Sequence, residues 1–112
     1  MIIKLLDYLH DNNIDAYFIG QHKGECISPY VVLKDSGTSG YLNNKNGVKL
    51  IDIIFYLPQN QFSRVESFRK CVFDLLNNYK DIRYTGDETG VITDDNKKAI
   101  TFSIMYENQR KL

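Results

Sequence analysis

Two residues in a short polar segment, His22 and Cys26, are of the types that form a nucleophilic cysteine site. Such a site requires the imidazole within hydrogen-bonding distance of the sulfur and a third group that orients it. The segment between the two residues contains Gly24, and nothing in its composition fixes their geometry. The sequence therefore predicts an ordinary loop cysteine rather than a catalytic thiolate.

Two groups of residues carry side chains that bind metal ions elsewhere in proteins. The first comprises His22, Glu25 and Cys26, and the second comprises Asp87, Glu88, Asp94 and Asp95. The first group lacks the paired spacing of zinc ligands. The second lacks the alternating ligands and the final glutamate of a calcium-binding loop. We expect solvated acidic turns and no metal site.

Glycines occur at Gly24, after Lys23, and at Gly37 and Gly40, but none of them lies in a phosphate-binding pattern. A P-loop requires GxxxxGK[ST], and a dinucleotide-binding turn requires GxGxxG between a strand and a helix. The sequence therefore predicts no cofactor, and it contains no recognisable active site.

The composition is typical of one globular domain spanning residues 1–112, with 43% hydrophobic and 25% charged residues. Fourteen basic residues balance fourteen acidic ones. A protein that binds a nucleic-acid duplex normally carries a basic surplus, so specific nucleic-acid recognition is not expected. The two cysteines form no CxxC pair, and we expect free thiols.

The first ten residues, MIIKLLDYLH, do not have the pattern of a signal peptide. Lys4, Asp7 and His10 interrupt the apolar residues, and no small-residue cleavage site follows. No segment approaches the roughly 18 consecutive apolar residues of a membrane span. We expect a protein that is made in the cytoplasm and has no membrane partner.

The longest apolar run extends from Gly47 to Leu57 and predicts a central β-strand. Side chains alternate along a strand. The alternation places Ile51, Ile53, Phe55 and Leu57 on one face, and Leu50, Asp52, Ile54 and Tyr56 on the other. We expect helices on the first face, and a neighbouring subunit or partial solvent on the second. The carboxylate of Asp52 should then face water, Lys34 or another subunit, because an unpaired buried charge is costly.

Residues 58–79 predict a helix whose apolar stripe packs on the face of Ile51 and Phe55. The stripe comprises Phe62, Val65, Phe68, Val72, Leu75, Leu76 and Tyr79. Ser63 and Glu66 have the spacing of a capping box at its start. The basic residues of this helix are expected to pair with acidic residues on the same helix, chiefly Glu66 and Asp74.

The remaining patterns predict a helix over residues 2–12 and short strands over 16–19, 29–34, 82–84 and 90–92. A well-alternating strand over 100–106 precedes a charged tail, Glu107 to Leu112. The predicted fold class is α+β, in the order α-β-β-β-α-β-β-β. It has a mainly antiparallel sheet of about four to six strands with two helices packed on one face.

The segment from Asp35 to Asn46, DSGTSGYLNNKN, predicts the longest loop, at the tip of a hairpin. Eight tyrosines and six phenylalanines exceed the needs of a small two-helix core. Tyrosine is enriched at protein interfaces. The sequence therefore favours a component of an assembly over a monomeric domain.

Three stretches together resemble a known family. They are SPYVVLKDSG from Ser28, KLIDIIFYLP from Lys49 and ITFSIMYE from Ile100. With the long loop and the helix between them, they are similar to small tail-completion proteins of tailed bacteriophages and of phage-derived tail particles of Gram-positive bacteria. The resemblance extends over essentially the whole chain.

This resemblance implies a structural virion protein in the tail or neck, with no catalytic residues. Such a subunit forms a ring, expected to be hexameric, on the last ring of tail-tube protein. The ring stops tube polymerisation and provides the surface for the head–tail connector, and in a contractile tail it also contacts the sheath protein. The expected assembly contacts are Pro29, Tyr30, Asp35, Ser36, Gly37, Thr38, Ser39, Gly40, Tyr41, Leu42, Asn43, Asn44, Lys45 and Asn46.

Three alternatives stay open at this point. One is a head–tail connector or neck protein, which also forms rings. A second is a small monomeric binding or regulatory domain. The third is an enzyme, which would require a cleft with a perturbed titratable group.

Overall fold

Two α-helices and six β-strands make up the described part of the chain. The computed structural model describes residues 2–22, 24–40, 46–80 and 82–111, with side chains for all of these except 2, 37–40, 46–48 and 108–111. The elements are α1 (Ile2–Asp11), β1 (Ala16–Phe18), β2 (Tyr30–Gly40), β3 (Asn46–Pro58), a 3-10 segment (Gln59–Arg64), α2 (Val65–Asn77), β4 (Arg83–Glu88), β5 (Ile92–Asp94) and β6 (Ala99–Lys111). The α+β class is confirmed.

The strands form one sheet in the order β1-β2-β3-β6-β4, and β5 pairs with β6 on the same side as β4. Every pairing is antiparallel except that of β1 with β2. The Val31 N–H donates to the Asp15 carbonyl at 2.9 Å, at the start of that parallel pairing. Strand β3 lies at the centre of the sheet, as its apolar sequence predicted.

Both helices pack on one face of the sheet, which we call the helix face. On β3 the side chains of Ile51, Ile53, Phe55 and Leu57 are fully buried there. They join a single core with Leu5 and Leu9 of α1, Val72 and Leu76 of α2, and Ile100, Phe102, Ile104 and Tyr106 of β6. The predicted alternation is therefore confirmed on the two central strands.

The beginning of α2 differs from the prediction. Arg64 occupies the N-cap position, and no side chain caps the helix there, so the predicted capping box of Ser63 and Glu66 is wrong. A 3-10 segment with a non-helical residue, Gln61, precedes α2 and breaks its periodicity. Phe62 lies in this segment and is 65% exposed, so it does not continue the stripe that Val65 begins.

The segment predicted as a long loop is mostly strand. Strand β2 continues to Gly40 through a bulge between Asp35 and Thr38, and β3 begins at Asn46. The predicted hairpin is confirmed, but its loop is shorter than predicted. The backbone N–H and C=O groups of residues 38–40 find partners by pairing with β3. Residues 41–45 of the predicted loop lie outside the described residues.

The predicted charged tail is also strand. Strand β6 continues to Lys111 and pairs with β3 as far as Asn46. Together, residues 34–40 of β2, 46–51 of β3 and 105–111 of β6 form a three-stranded extension of the sheet, which we call the arm. The charged residues of the predicted tail lie on this ribbon.

The edge beside β6 is irregular. Strand β4 pairs with β6 at Arg83 and Tyr84 and again at Glu88, with a bulge between. Gly86 lies inside the bulge with a φ of 92°, a conformation that glycine adopts without strain. The Thr85 hydroxyl donates to the Met105 carbonyl at 2.9 Å and holds the bulge against β6.

Candidate interaction surface

The face of the sheet opposite the helices carries a mixed surface, which we call the open face. Strand register arranges its residues in three rows across β2, β3 and β6. The rows are Tyr30-Tyr56-Thr101, Val32-Ile54-Ser103 and Lys34-Asp52-Met105. Burial decreases from the first row to the third: Tyr30 is 2% exposed, whereas Lys34 is exposed to solvent.

A segment between β1 and β2 covers the first row. We call residues 20–22 and 24–28 the strap. The Cys26 N–H donates to the Lys97 carbonyl at 2.8 Å, and the Lys97 ammonium donates to the carbonyls of His22 and Gly24 at 3.4 Å each. An exposed ion pair at 3.2 Å joins Lys98 to Glu25. The strap is therefore tied to the turn between β5 and β6.

Four aromatic rings meet beneath and beside the strap. The ring of Tyr30 lies between those of His22 and Tyr56, with ring centroids 4.0 and 4.9 Å away. The ring of Tyr17 meets both His22 and Tyr30 edge-on. Edge-on and stacked ring pairs contribute beyond the area they bury. The cluster is a second apolar centre, separated from the main core by the sheet.

Two polar atoms in this cluster are buried without hydrogen-bond partners in the described part of the chain: His22 Nδ1 and the Tyr30 hydroxyl. Burial, and then the charge of Lys97, lowers the pKa of His22 below its ordinary value of 6.5. Burial raises the pKa of Tyr30 strongly, with a smaller contribution from Cys26. Both side chains are therefore neutral at pH 7.

A cavity of about 230 Å³ lies between the strap and the open face, bordered by Ile19, His22, Tyr30, Ile54, Tyr56 and Lys97. A shallower depression of about 300 Å³ adjoins it at Ile54. Lys34, Asp52, Ile92 and Ser103 are among the residues that line the depression. The open face thus offers a continuous concave strip with an apolar middle.

Cys26 lies in the connection between β1 and β2, as predicted, and it is a buried member of this cluster. Its thiol donates to the Ser28 carbonyl at 3.3 Å. Burial raises the pKa of the thiol to about 11, against a smaller opposing effect of Lys97. The thiol therefore carries its proton at pH 7 and is a poor nucleophile. Cys71 is also free and is exposed on α2.

Two of the carboxylates weighed as metal ligands, those of Asp94 and Glu88, make other contacts. The Asp94 carboxylate accepts the backbone N–H groups of Asn96 and Lys97 and closes the turn before β6. Glu88 pairs with Arg69 at 2.5 Å and accepts a hydrogen bond from the Tyr84 hydroxyl. Among the residues that the structure describes, no three His, Cys, Asp or Glu side chains group closely enough to hold a metal ion.

Asp52 lies on the open face, opposite Lys34 on the neighbouring strand. Its carboxylate accepts a hydrogen bond of 3.0 Å from the Ser36 hydroxyl, and the side chain is half-buried. A position beside Lys34 is one of the three alternatives that the sequence predicted, the others being water and another subunit. The Ser36 hydroxyl was not anticipated as its partner, because the bulge that brings Ser36 there is not visible in the sequence.

The structure separates the predicted assembly residues into two places. Pro29 is half-buried and Tyr30 is buried beneath His22, at the beginning of β2. Residues 35–40 and 46 lie at the far end of the same hairpin, in the arm, where Asp35 pairs with Lys49 at 2.9 Å. The sequence did not identify the strap contacts of His22 and Lys97.

The arm has strand edges without a strand partner. Strand β1 pairs only with Val31 to Leu33, so residues 36–40 of β2 have no neighbouring strand on that side in the described ranges. On the other side, β4 reaches only to Glu107 of β6. Residues 108–111 therefore form a second unpaired edge within the part of the chain that the structure describes. An unpaired strand edge is a template for pairing with another chain.

No protein-family model matches this chain, and no curated protein sequence matches it significantly. Among the described residues, no helix is long and apolar enough to cross a bilayer.

Proposed function

We propose that this protein is a non-enzymatic structural subunit that assembles into a ring, and that the ring is the terminator of a phage-type tail. The observation that carries the proposal is the arm, a three-stranded ribbon with an unpaired strand edge on each side. The location of the ring at the end of the tail tube is proposed because the sequence motifs resemble those of tail-completion proteins.

The two unpaired edges of the arm suit a head-to-tail contact. One is formed by residues 36–40 of β2 and the other by residues 108–111 of β6, so they lie on opposite sides of the ribbon. When one edge of a subunit pairs with the opposite edge of the next, the interface is heterologous. Heterologous contacts generate a ring when the rotation between subunits closes. Backbone pairing of this kind needs no particular side chains.

The open face provides a second contact surface. Its middle row presents the half-buried Ile54 beside the buried Val32, with the half-buried Met105 in the next row. Leu50, also half-buried, continues this surface within the arm. A formal net charge of zero leaves little repulsion between copies. In the proposed ring, the partners beyond the chain itself are the tail-tube protein, the head–tail connector and, in a contractile tail, the sheath protein.

Electron microscopy of particles produced without this gene tests the proposal. Over-long or irregular tails without heads are the expected result. Tails of normal length beside filled but unjoined heads would indicate that the protein is a head–tail connector of the neck and not a tail terminator. Intact infectious particles would overturn a structural role in the particle and favour the binding, regulatory or enzymatic alternatives.

A further inference from the structure

The strap covers a cluster that is independent of the main core. Tyr30, Val32, Cys26 and Ala99 form this cluster on the open face, whereas both helices pack on the opposite face. The ladder of hydrogen bonds between β2, β3 and β6 does not involve the strap. Lifting the strap would therefore leave the sheet and the helix-face core in place.

Among the described residues, three hydrogen bonds and one ion pair tie the strap to the turn between β5 and β6, and the ring of His22 packs against Tyr30 and Tyr17. The two hydrogen bonds from the Lys97 ammonium are long, at 3.4 Å. The ion pair of Lys98 with Glu25 is exposed, and pairs of this kind add little to stability. The backbone hydrogen bond from Cys26 to Lys97, at 2.8 Å, is the shortest of these ties.

The closed strap also leaves hydrogen-bonding capacity unused. His22 Nδ1 and the Tyr30 hydroxyl have no partner in the described part of the protein, and both are shielded from water. An unsatisfied buried polar atom costs free energy that hydration recovers. Gly20 and Gly24 have φ values of 82° and 84°, so the backbone turns at these two points without strain.

We infer that the strap is a displaceable cover, which opens while the sheet and the helix-face core stay folded. Opening would hydrate His22 and Tyr30 and add Tyr30 and Tyr56 to the exposed part of the open face. It would also expose Cys26, which is 5% exposed when the strap is closed. This inference does not depend on the proposed ring.

The thiol of Cys26 reports the opening directly. In a Cys71→Ser variant, Cys26 is the single thiol, and its reaction with a thiol-specific disulfide reagent is followed in native buffer and at increasing urea. Local opening gives a labelling rate that exceeds the rate allowed by global unfolding and changes little with low concentrations of urea. The rate of global unfolding is measured on the same variant.

A second substitution, Lys97→Met in the Cys71→Ser background, removes the charged donor from the strap. We expect Cys26 to label several-fold faster, because the substitution removes two long hydrogen bonds that hold the strap closed. Lys70→Met is the matched control, because Lys70 pairs with Asp74 on the exposed surface of α2. It should leave the labelling rate unchanged.

The inference is overturned if labelling of Cys26 in the Cys71→Ser variant follows global unfolding, with the same dependence on urea. The strap would then be an integral part of the cooperative fold. This comparison is made without the Lys97 substitution, so a folding defect in that variant does not affect it.

Discussion

The rings of Phe55 and Phe102 are stacked on the helix face, with centroids 4.6 Å apart and planes 8° apart. The two residues are direct partners across β3 and β6. Phe68 of α2 meets the ring of Phe55 edge-on, with centroids 5.9 Å apart. These three rings join the two central strands to α2.

Replacing Phe55, which contacts both of the other rings, by alanine should severely destabilise the fold. Phe55 is fully buried, and replacing a buried phenylalanine by alanine costs about 3–5 kcal/mol. Urea unfolding of Phe55→Ala should show this loss of stability. Phe62→Ala is the matched control, because Phe62 is 65% exposed, and it should change stability by about 0.5 kcal/mol or less. Equal effects of the two substitutions would contradict the assignment of β3 to the core.

Arg69 should stabilise the fold more than its neighbour Lys70. The Arg69 guanidinium pairs with Glu88 of β4 and lies 5.1 Å from the centre of the Phe73 ring. The sequence suggested pairing within the helix, but this contact joins α2 to an edge strand. We expect Arg69→Ala to cost about 1 kcal/mol, the sum of a partly exposed ion pair and a cation–π contact.

Lys70→Ala provides the comparison in the same denaturation experiment. The pair of Lys70 with Asp74 is exposed and within one helix, so solvent screens it and its loss should change stability less than the loss of Arg69. A larger effect of Lys70→Ala than of Arg69→Ala would show that the contact with β4 does not stabilise the protein.

Stability should decrease as the pH falls below the ordinary pKa of histidine, in part because of His22. Its pKa is lower in the folded chain than the ordinary value of 6.5, so the unfolded chain binds more protons in this range. Protonation therefore favours unfolding as the pH falls through 6.5 toward the folded value. Unfolding free energies at about pH 7.5 and pH 5.5 measure the effect.

His22→Phe is the control for this pH dependence, since it keeps a ring against Tyr30 and does not titrate. The variant should lose less stability than the natural chain over the same pH range. The same loss in both chains would mean that His22 is not shielded from water in solution.

Shortening the arm should abolish assembly and leave the domain folded. Replacing residues 39–48 by Asn-Gly connects Thr38 to Lys49, which are partners across the hairpin, by a favourable two-residue turn. The core residues from Ile51 onward are untouched. Urea unfolding of the variant should show a cooperative transition, and the variant should fail to restore normal tails in a strain without the gene. Restoration of normal particles would refute the role of the arm.

The sequence predicted the central strands well, because the alternation of apolar and polar residues indicates which face of a strand is buried. Ile51, Ile53 and Phe55 follow this pattern, and all are buried. In the arm, both faces of residues 35–40 and 108–111 carry mainly polar residues or glycine, so alternation is weak. There the strand depends on pairing with β3, and a local pattern does not reveal such a pairing.

The open face could be predicted only in part. The alternation of Asp52, Ile54 and Tyr56 identified its middle strand. The strap was not predictable, because Lys97 and the carbonyl of His22 that it binds lie 75 positions apart. His22 stands out in its segment only as a candidate for catalysis or metal binding, and Lys97 does not stand out in its own. The contact arises because the sheet brings the two turns together.

The position of β3 between β2 and β6 has a consequence for synthesis of the protein on the ribosome. Strand β2 is made directly before β3 and can pair with it at once, whereas β6 follows only after residues 59–98. Until β6 emerges, one edge of the most apolar strand stays open to other nascent chains. Long-range strand pairing of this kind is slow and prone to aggregation. We therefore expect the yield of soluble protein to depend on translation speed between residues 59 and 98.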